Sequence, residues 1–248
     1  MSQSPIPKVL STIGTHGVEA LLMGGQACVL YGAAEFSRDA DFAILSSPEN
    51  LERLQGALDE LQARVIAVPP FEGQYLERGH AVHFRCHHPE ANRLRIDVMS
   101  RMRGVSPFPA LWSRRTTWDL PGLTRLESLS LPDLVASKKT QRDKAWPMVR
   151  RLVEVSYDDG YASPSPDQID FWMMELRTAD LLVECVRRFP DAAKEVAEAR
   201  PAVRAALGDD TTGVERSLAE EEAHERELDR AYWAPLRTEL ESMRRAQR

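Results

Sequence analysis

Residues 37–45, SRDADFAIL, place two carboxylates at the start of an apolar run, and this combination constrains the fold more than any other segment. The alternation at Asp39, Ala40 and Asp41, followed by four apolar residues, predicts a β-strand that enters a core. Because residues i and i+2 of a strand share a face, both carboxylates should lie side by side. An Asp-x-Asp at a strand start also occurs as a turn or a cap without a metal. If Asp39 and Asp41 do bind a metal, we expect the strand to begin at a cleft, where a cation neutralises the two carboxylates.

A third carboxylate lies in a second apolar strand. Asp97 stands between Ile96 and Val98 in RLRIDVMS, and a charge there is costly unless it is paired or bound to a metal. Oxygen ligands suit Mg²⁺ (or Mn²⁺), and carboxylates that share two metal ions can support phosphoryl or nucleotidyl transfer. Asp97 would position or deprotonate the attacking hydroxyl. The alternative is that Asp97 pairs with an arginine on a hairpin edge, since Arg93 and Arg95 share its face.

The order of the predicted elements indicates an α+β fold, with a mixed β-sheet, packed helices and a C-terminal all-helical segment. Ser47 and Pro48 predict the start of a helix, and the turn PEAN predicts a hairpin between HAVHFRCHH and RLRIDVMS. LESLSLPDLVASKKTQRDK is predicted to be one helix. The Gly-, Ser- and Pro-rich stretch at 157–168 is predicted to be a linker between a domain at 1–156 and a helical domain at 169–248.

Charge is distributed unevenly along the 248 residues. The net charge is −6, yet residues 93–151 hold 13 Lys and Arg against 5 Asp and Glu. A basic middle in an acidic protein indicates a phosphate-bearing partner, or else a solvated helix face. Three scattered cysteines and the lack of a signal-like or membrane-length apolar stretch favour a cytoplasmic protein that does not enter a membrane.

The order Gly24-Gly25, helix, Ser37-Arg38-Asp39-Ala40-Asp41, and later Asp97 resembles the nucleotidyltransferase superfamily related to DNA polymerase β. The nearest likeness is to minimal nucleotidyltransferases, including AbiEii-type toxins of toxin–antitoxin systems. The resemblance covers roughly residues 20–150. It implies a nucleotidyltransferase-like sheet, triphosphate contact at Gly24 and Gly25, and Mg²⁺ ligation by the three carboxylates named above. Ser37 matches a Ser or Thr of the family pattern, whereas Glu35 stands where an Arg is common and Arg38 lies nearby.

A basic segment adds to the resemblance. AbiEii-like proteins carry a helix with a Lys, then an Arg, then a basic residue followed by Asp. Lys138 or Lys139, Arg142 and Lys144 match, with Ala145 where the Asp is expected. On one helix, Lys138 and Arg142 would share a face and could clamp a triphosphate; the alternative is an exposed basic helix.

The expected activity is transfer of a nucleoside monophosphate from an NTP to a hydroxyl. The favoured acceptor is an RNA 3′ end of tRNA size, with a small molecule or a protein as alternatives. The alternative class is an inactive nucleotide- or protein-binding relative, possibly paired with an antitoxin protein. The RNA expectation rests on a basic track with interspersed tryptophans that can stack bases: Arg93, Arg95, Arg101, Arg103, Trp112, Arg114, Arg115 and Trp118.

Overall fold

The structure is a computed structural model that describes residues 5–120 and 125–246. These residues confirm the α+β class. A seven-stranded mixed sheet is combined with helices, and from Lys139 onward the described chain contains helices and no strand. The described chain also contains no helix that is both long enough and apolar enough to cross a membrane.

The sheet has the strand order β3-β4-β5-β2-β1-β7-β6. Its strands are β1 Ala20–Met23, β2 Asp39–Ile44, β3 Arg64–Val65, β4 Val82–Arg85, β5 Arg95–Met99, β6 Thr116–Trp118 and β7 Leu126–Ser128. The β2/β5 and β1/β7 pairs are parallel, and the other neighbours are antiparallel. The predicted hairpin is confirmed as the antiparallel pair β4/β5, with a 3₁₀ turn at Pro89–Ala91 in the connection.

Twelve helices complete the described residues: α1 Ile6–Thr15, α2 Gly24–Leu30, α3 Pro48–Glu60, α4 Gly73–Arg78, α5 Phe108–Ser113, α6 Leu131–Lys138, α7 Ala145–Gly160, α8 Pro166–Glu175, α9 Ala179–Arg188, α10 Pro190–Val196, α11 Pro201–Leu207 and α12 Thr211–Ala246. The predicted start of α3 is confirmed. Ser47 accepts a hydrogen bond from the Asn50 backbone, and Pro48 occupies the first turn, where it costs no hydrogen bond.

One face of the sheet forms the main core with α1 and α3. Alternate residues of the central strands point into it, among them Phe42, Phe84 and Ile96, and each is at most 2% exposed. Because side chains alternate across a strand, the polar residues between them must lie on the opposite face. The core therefore determines on which face the carboxylates of β2 and β5 are presented.

The chain forms two compact units, divided differently from the prediction. One comprises residues up to Ser137 together with those from Tyr232, and the other is Lys138–Ala231. The predicted linker at 157–168 is largely helical, because α7 continues to Gly160 and α8 begins at Pro166. Tyr157 is buried with its ring edge-on to Trp172, at 4.9 Å between centroids. Ser165 and Gln168 form a capping box, so the polar residues here start a helix rather than separate domains.

A second correction concerns the helix predicted for LESLSLPDLVASKKTQRDK. Leu126–Ser128 is strand β7, α6 begins at Leu131, and Lys138 is the last residue of that helix. Within the second unit, the Gln141 backbone N–H donates to Asp229 Oδ2 at 2.9 Å. This bond stabilises a turn where the sequence pattern predicted continued helix.

The second unit has its own buried polar centre. The Arg200 side chain donates to the carbonyls of Met173 and Leu176, both at 2.7 Å, and pairs with Glu221. Each nitrogen of this buried guanidinium is hydrogen-bonded, so Arg200 fixes the ends of several helices at once. Residues Lys138–Ala231 thus form a packed helical unit, which begins before the predicted boundary at 157–168 and ends before the C-terminus.

Candidate functional site

The register of the two central strands brings the three predicted carboxylates to one face of the sheet. Asp39 and Asp41 lie two residues apart on β2, separated by Ala40, which points into the core. In the parallel β2/β5 pair, Asp41 is directly opposite Asp97, and Asp39 is opposite Arg95. Paired residues of neighbouring strands point to the same side. Two segments more than 50 residues apart in the sequence thus supply one polar surface.

The Gly24-Gly25 pair packs directly against this surface. Gly24 begins α2 with φ +67°, and a Cβ there would lie 1.9 Å from Asp41 Oδ2. A Cβ on Gly25 would lie 2.4 Å from Ser37 Oγ. Only glycine combines the left-handed backbone of Gly24 with this approach. The backbone at the start of α2 therefore touches both the second carboxylate and the predicted Ser37.

The loop before β2 is held by hydrogen bonds. Gln26 Nε2 donates to the Ser37 carbonyl at 2.9 Å, and Ser37 Oγ donates to the Asp39 carbonyl at 3.3 Å. Arg38 is exposed beside them, as is Phe36. Gln26 is a support that the sequence analysis missed. Gln26 lies in the first turn of α2, and it reaches the Ser37 carbonyl because Ser37 packs on Gly25.

The Asp97 carboxylate contacts two side chains, those of Arg95 and His83. Arg95 Nε donates to Asp97 Oδ1 at 2.7 Å, and His83 Nδ1 lies 2.9 Å from the same oxygen and 3.1 Å from Arg95 Nη2. Burial acts to raise the pKa of Asp97, but the hydrogen bonds from His83 and Arg95 outweigh it and hold the pKa below its usual value. The structure therefore contains the arginine partnership that was the alternative interpretation of Asp97.

Arg95 is the countercharge of the whole carboxylate surface. Its hydrogen bond to Asp97 raises the pKa of the guanidinium above its usual value, and the charges of Asp39 and Asp41 act in the same direction. All three carboxylates are thus close enough to Arg95 to interact with it electrostatically. A single cation offsets part of the repulsion among three anions.

The sequence matches no protein-family model and no curated protein. The nucleotidyltransferase resemblance therefore rests on the motif residues alone and stays a prediction.

The three carboxylates are the type of ligand that a divalent cation prefers, but their side chains are not arranged as a ready binding site. Hard oxygen donors on one face are what Mg²⁺ takes from a protein. Among the described residues, however, no three Asp, Glu, His or Cys side chains converge as a ready ligand group. Asp97 Oδ1 already accepts from Arg95 Nε. Asp39 and Asp41 share one face of β2 and are the residues that would hold the ion, and Asp97 would have to leave Arg95 to join them.

The predicted basic clamp does not form one helix face. Lys138 ends α6, Arg142 lies beyond it, and Lys144 precedes α7, so the i, i+4 relation predicted for the first two is wrong. Lys139 forms an ion pair with Glu175 at 2.6 Å inside the second unit. All four basic residues belong to that unit, whereas the carboxylates belong to the first.

Part of the predicted basic track is committed to structural contacts. Arg114 makes a two-pronged ion pair with the buried Asp133, at 2.6 and 2.7 Å, and Arg115 pairs with Glu127. Trp118 donates to Ser128 Oγ at 2.8 Å and packs edge-on to Tyr31. These three residues hold the β6/β7 edge together, whereas Arg93 and Arg101 are exposed.

Two residues on β4 were missed as members of the site. His83 is directly opposite Asp97, and Arg85 is directly opposite Arg95. The predicted hairpin contained the signal, because its register determines which β4 side chains face Asp97. That register could not be counted from the sequence, since the turn between the strands has a left-handed residue at Arg93 and a 3₁₀ segment.

Proposed function

We propose that this protein is a metal-dependent nucleotidyltransferase with a nucleotidyltransferase-like sheet. It would move a nucleoside monophosphate from an NTP to an acceptor hydroxyl and release pyrophosphate. One observation carries the proposal: three carboxylates from two neighbouring strands share a face, and the glycine backbone at Gly24 touches one of them. Paired carboxylates beside a side-chain-free backbone suit a metal-bound phosphate chain.

Each residue of the site has a distinct role in this proposal. Asp39 and Asp41 would hold Mg²⁺ (or Mn²⁺), which when bound neutralises phosphate charge and polarises the reacting phosphorus. Gly24 and Gly25 would present backbone N–H groups to the triphosphate, and Ser37 and Arg38 would flank it.

Asp97 acts on the acceptor. Its pKa, lowered by His83 and Arg95 against the effect of burial, makes it a hydrogen-bond acceptor that positions the hydroxyl rather than a strong base. The hydroxyl oxygen bonds to the α-phosphorus, the bond from that phosphorus to the bridging oxygen breaks, pyrophosphate leaves, and the hydroxyl proton passes to water. The acceptor we favour is the 3′ end of an RNA of tRNA size, with a small molecule or a protein hydroxyl as the alternatives. The setting we propose is the cytoplasm, with an antitoxin protein as a candidate partner.

A second candidate function follows from the Asp97 contacts. In an inactive relative that binds a nucleotide or a protein, Asp97 would be a permanent partner of Arg95 and His83. The 2.7 Å bond between Arg95 and Asp97 favours this alternative, as does the lack of three converging metal-ligand side chains among residues 5–120 and 125–246. The two functions differ in one measurable respect, because only the first consumes NTP.

Transfer can be tested with NTPs labelled at the α-phosphate, total RNA as acceptor, and Mg²⁺ or Mn²⁺. We expect label to enter RNA with at least one NTP, and Asp41→Asn to lower the rate more than about 100-fold, the scale of losing a group that stabilises transition-state charge. Asp119→Asn is the matched control, since Asp119 is an exposed carboxylate of the same unit.

An unchanged rate in Asp41→Asn would contradict the assignment of that residue. Nucleotide binding by calorimetry without transfer to RNA, protein extract or small hydroxyl compounds would favour the inactive alternative. Asp39→Asn provides a repeat of the test on the neighbouring carboxylate.

A further inference from the structure

A row of arginines extends from the carboxylates to the edge of the sheet. Asp39 of β2 is opposite Arg95 of β5, Arg95 is opposite Arg85 of β4, and Arg85 is opposite Arg64 of β3. We call Arg95, Arg85 and Arg64 the arginine row. It contains one guanidinium per strand, and at about 4.8 Å between strands its backbone positions span about 10 Å.

The arginine row lies on the carboxylate face. On β4 and β5 the residues between the polar ones, Phe84, Ile96 and Val98, are buried in the core on the other side. Arg85 and Arg95 are half-buried, and Arg64 is exposed, so access increases toward the edge. Ile66 follows on the same face, is 42% exposed, and donates its backbone N–H to the His83 carbonyl at 2.9 Å.

The row is electrostatically unfavourable in the protein alone. Like charges directly opposite one another on neighbouring strands are destabilising, and this row contains two such pairs in succession. Asp97 and its neighbours compensate Arg95, whereas Arg85 and Arg64 form no ion pair within residues 5–120 and 125–246. A chain with a net charge of −6 has acidic residues in plenty, yet no described carboxylate forms an ion pair with Arg85 or Arg64, although Asp59 lines the same pocket as Arg64. An anionic ligand would offset the repulsion.

We propose that the arginine row binds successive phosphates of a single-stranded nucleic acid whose terminal hydroxyl lies at the carboxylates. The inference deepens the proposed function and rests on it for the identity of the hydroxyl. Guanidiniums in line suit a phosphodiester chain better than a single phosphate, because an arginine can make paired hydrogen bonds to one phosphate. Arg85 and Arg64 are the members of the row that would do so, while Arg95 stays paired with Asp97. The exposed Ile66 beside the row offers an apolar contact for a base, which only an unpaired strand presents.

Binding can be measured by fluorescence anisotropy with a labelled ten-nucleotide RNA that has a free 3′-hydroxyl, in EDTA and without NTP. Each phosphate contact in a single strand contributes about 0.7 to the slope of log affinity against log salt. We expect Arg64→Gln with Arg85→Gln to reduce the slope by about 1.4, or about 7-fold less change in affinity between 50 and 200 mM salt. A control pair, Arg216→Gln with Arg230→Gln, removes the same charge from exposed positions of α12 and should leave the slope unchanged.

Three results would overturn the proposal: an unchanged slope in the row variant, an equal loss in the control pair, or displacement of the RNA by polyglutamate as readily as by unlabelled RNA. Inorganic triphosphate serves as a further competitor for the RNA. If the row variant loses affinity for triphosphate and keeps its affinity for RNA, the row is part of the NTP site and the proposal fails. A DNA decamer distinguishes RNA from single strands in general. Thermal unfolding of the row variant should show no loss of stability, because a repulsion has been removed.

These outcomes separate the row from the reaction. RNA binding that weakens in the row variant, with no transfer by the wild-type protein, would support the row and reject the proposed activity. Transfer to a small molecule that survives in the row variant, with RNA binding also unchanged, would support the activity and reject the row.

Discussion

At the scale of single residues, the contact between Gly24 and Asp41 is the most restrictive feature of the candidate site. The backbone at Gly24 has φ +67°, which side chains disfavour, and the space for a Cβ is already filled by the Asp41 carboxylate. One atom there would displace a predicted ligand. The same reasoning explains why a glycine, rather than any small residue, begins α2.

Gly24→Ala should therefore destabilise the protein for two separable reasons. Gly104 has a similar φ of +72° but open space where its Cβ would be, so Gly104→Ala measures the backbone strain alone. We expect that control to cost about 1–2 kcal/mol in the free energy of unfolding, and Gly24→Ala to cost more. Urea unfolding of both variants makes the comparison. Equal losses would mean that Asp41 moves aside freely and that the close contact does not constrain the site.

At the scale of elements, α1 and α3 are joined at their exposed ends through Glu60. Its carboxylate accepts from Lys8 Nζ at 2.6 Å and from Thr12 Oγ1 at 3.1 Å, and His16 Nε2 lies 2.9 Å away. The hydrogen bond from Lys8, followed by that from His16, lowers the pKa of Glu60 to about 2 from 4.5. These helices cover the core face of the sheet, so the cluster supports the face opposite the candidate site.

This cluster predicts a defined dependence of stability on pH. A carboxyl whose pKa is lowered on folding contributes stability above its unfolded pKa of 4.5, and loses it as the pH falls toward about 2. Glu60→Gln should be less stable than wild type at pH 6, and the two melting temperatures should converge between pH 4.5 and about 2. Glu52→Gln, at an exposed position of α3, is the control and should run parallel to wild type. A constant difference for Glu60→Gln across that range would contradict the prediction.

At the scale of the whole molecule, the end of the chain belongs to the same compact unit as the sheet. From Tyr232 onward, α12 packs beside α4: a Cβ on Gly79 would lie 2.7 Å from the Tyr232 hydroxyl. His80 is 1% exposed, and its Nε2 donates to Glu239 Oε2 at 2.7 Å. Arg78 pairs with the other oxygen of Glu239. The part of α12 from Tyr232 onward is therefore a structural part of the α/β unit.

Removal of the Glu239 carboxylate should weaken this attachment. Glu239→Ala leaves the buried His80 without its acceptor, and we expect a loss of about 1–3 kcal/mol in the free energy of unfolding. Hydrogen exchange of α4 and of α12 beyond Tyr232 should accelerate together. Glu241→Ala, an exposed position on the same helix, should change stability by less than about 0.5 kcal/mol. Unchanged exchange in Glu239→Ala would mean that the helix is held by its apolar contacts alone.

The sequence by itself determined the local elements and the residue types of the candidate site. Ser47 and Pro48 begin a helix, and alternation defines β2, because caps and periodicity depend only on neighbours a few residues away. The same local patterns misled at 157–168 and after Lys138. There, burial of Tyr157 and a hydrogen bond from the Gln141 backbone to Asp229 overrode the composition.

Only the tertiary structure decided which of these residues meet. The β2/β5 register sets Asp41 beside Asp97, and the β4 and β3 registers bring His83, Arg85 and Arg64 onto the same face. Strand register depends on how two buried faces fit together across segments far apart in the sequence, and a shift of one residue would turn each of these side chains into the core. For that reason the carboxylates could be named from the sequence, whereas the arginine row could not.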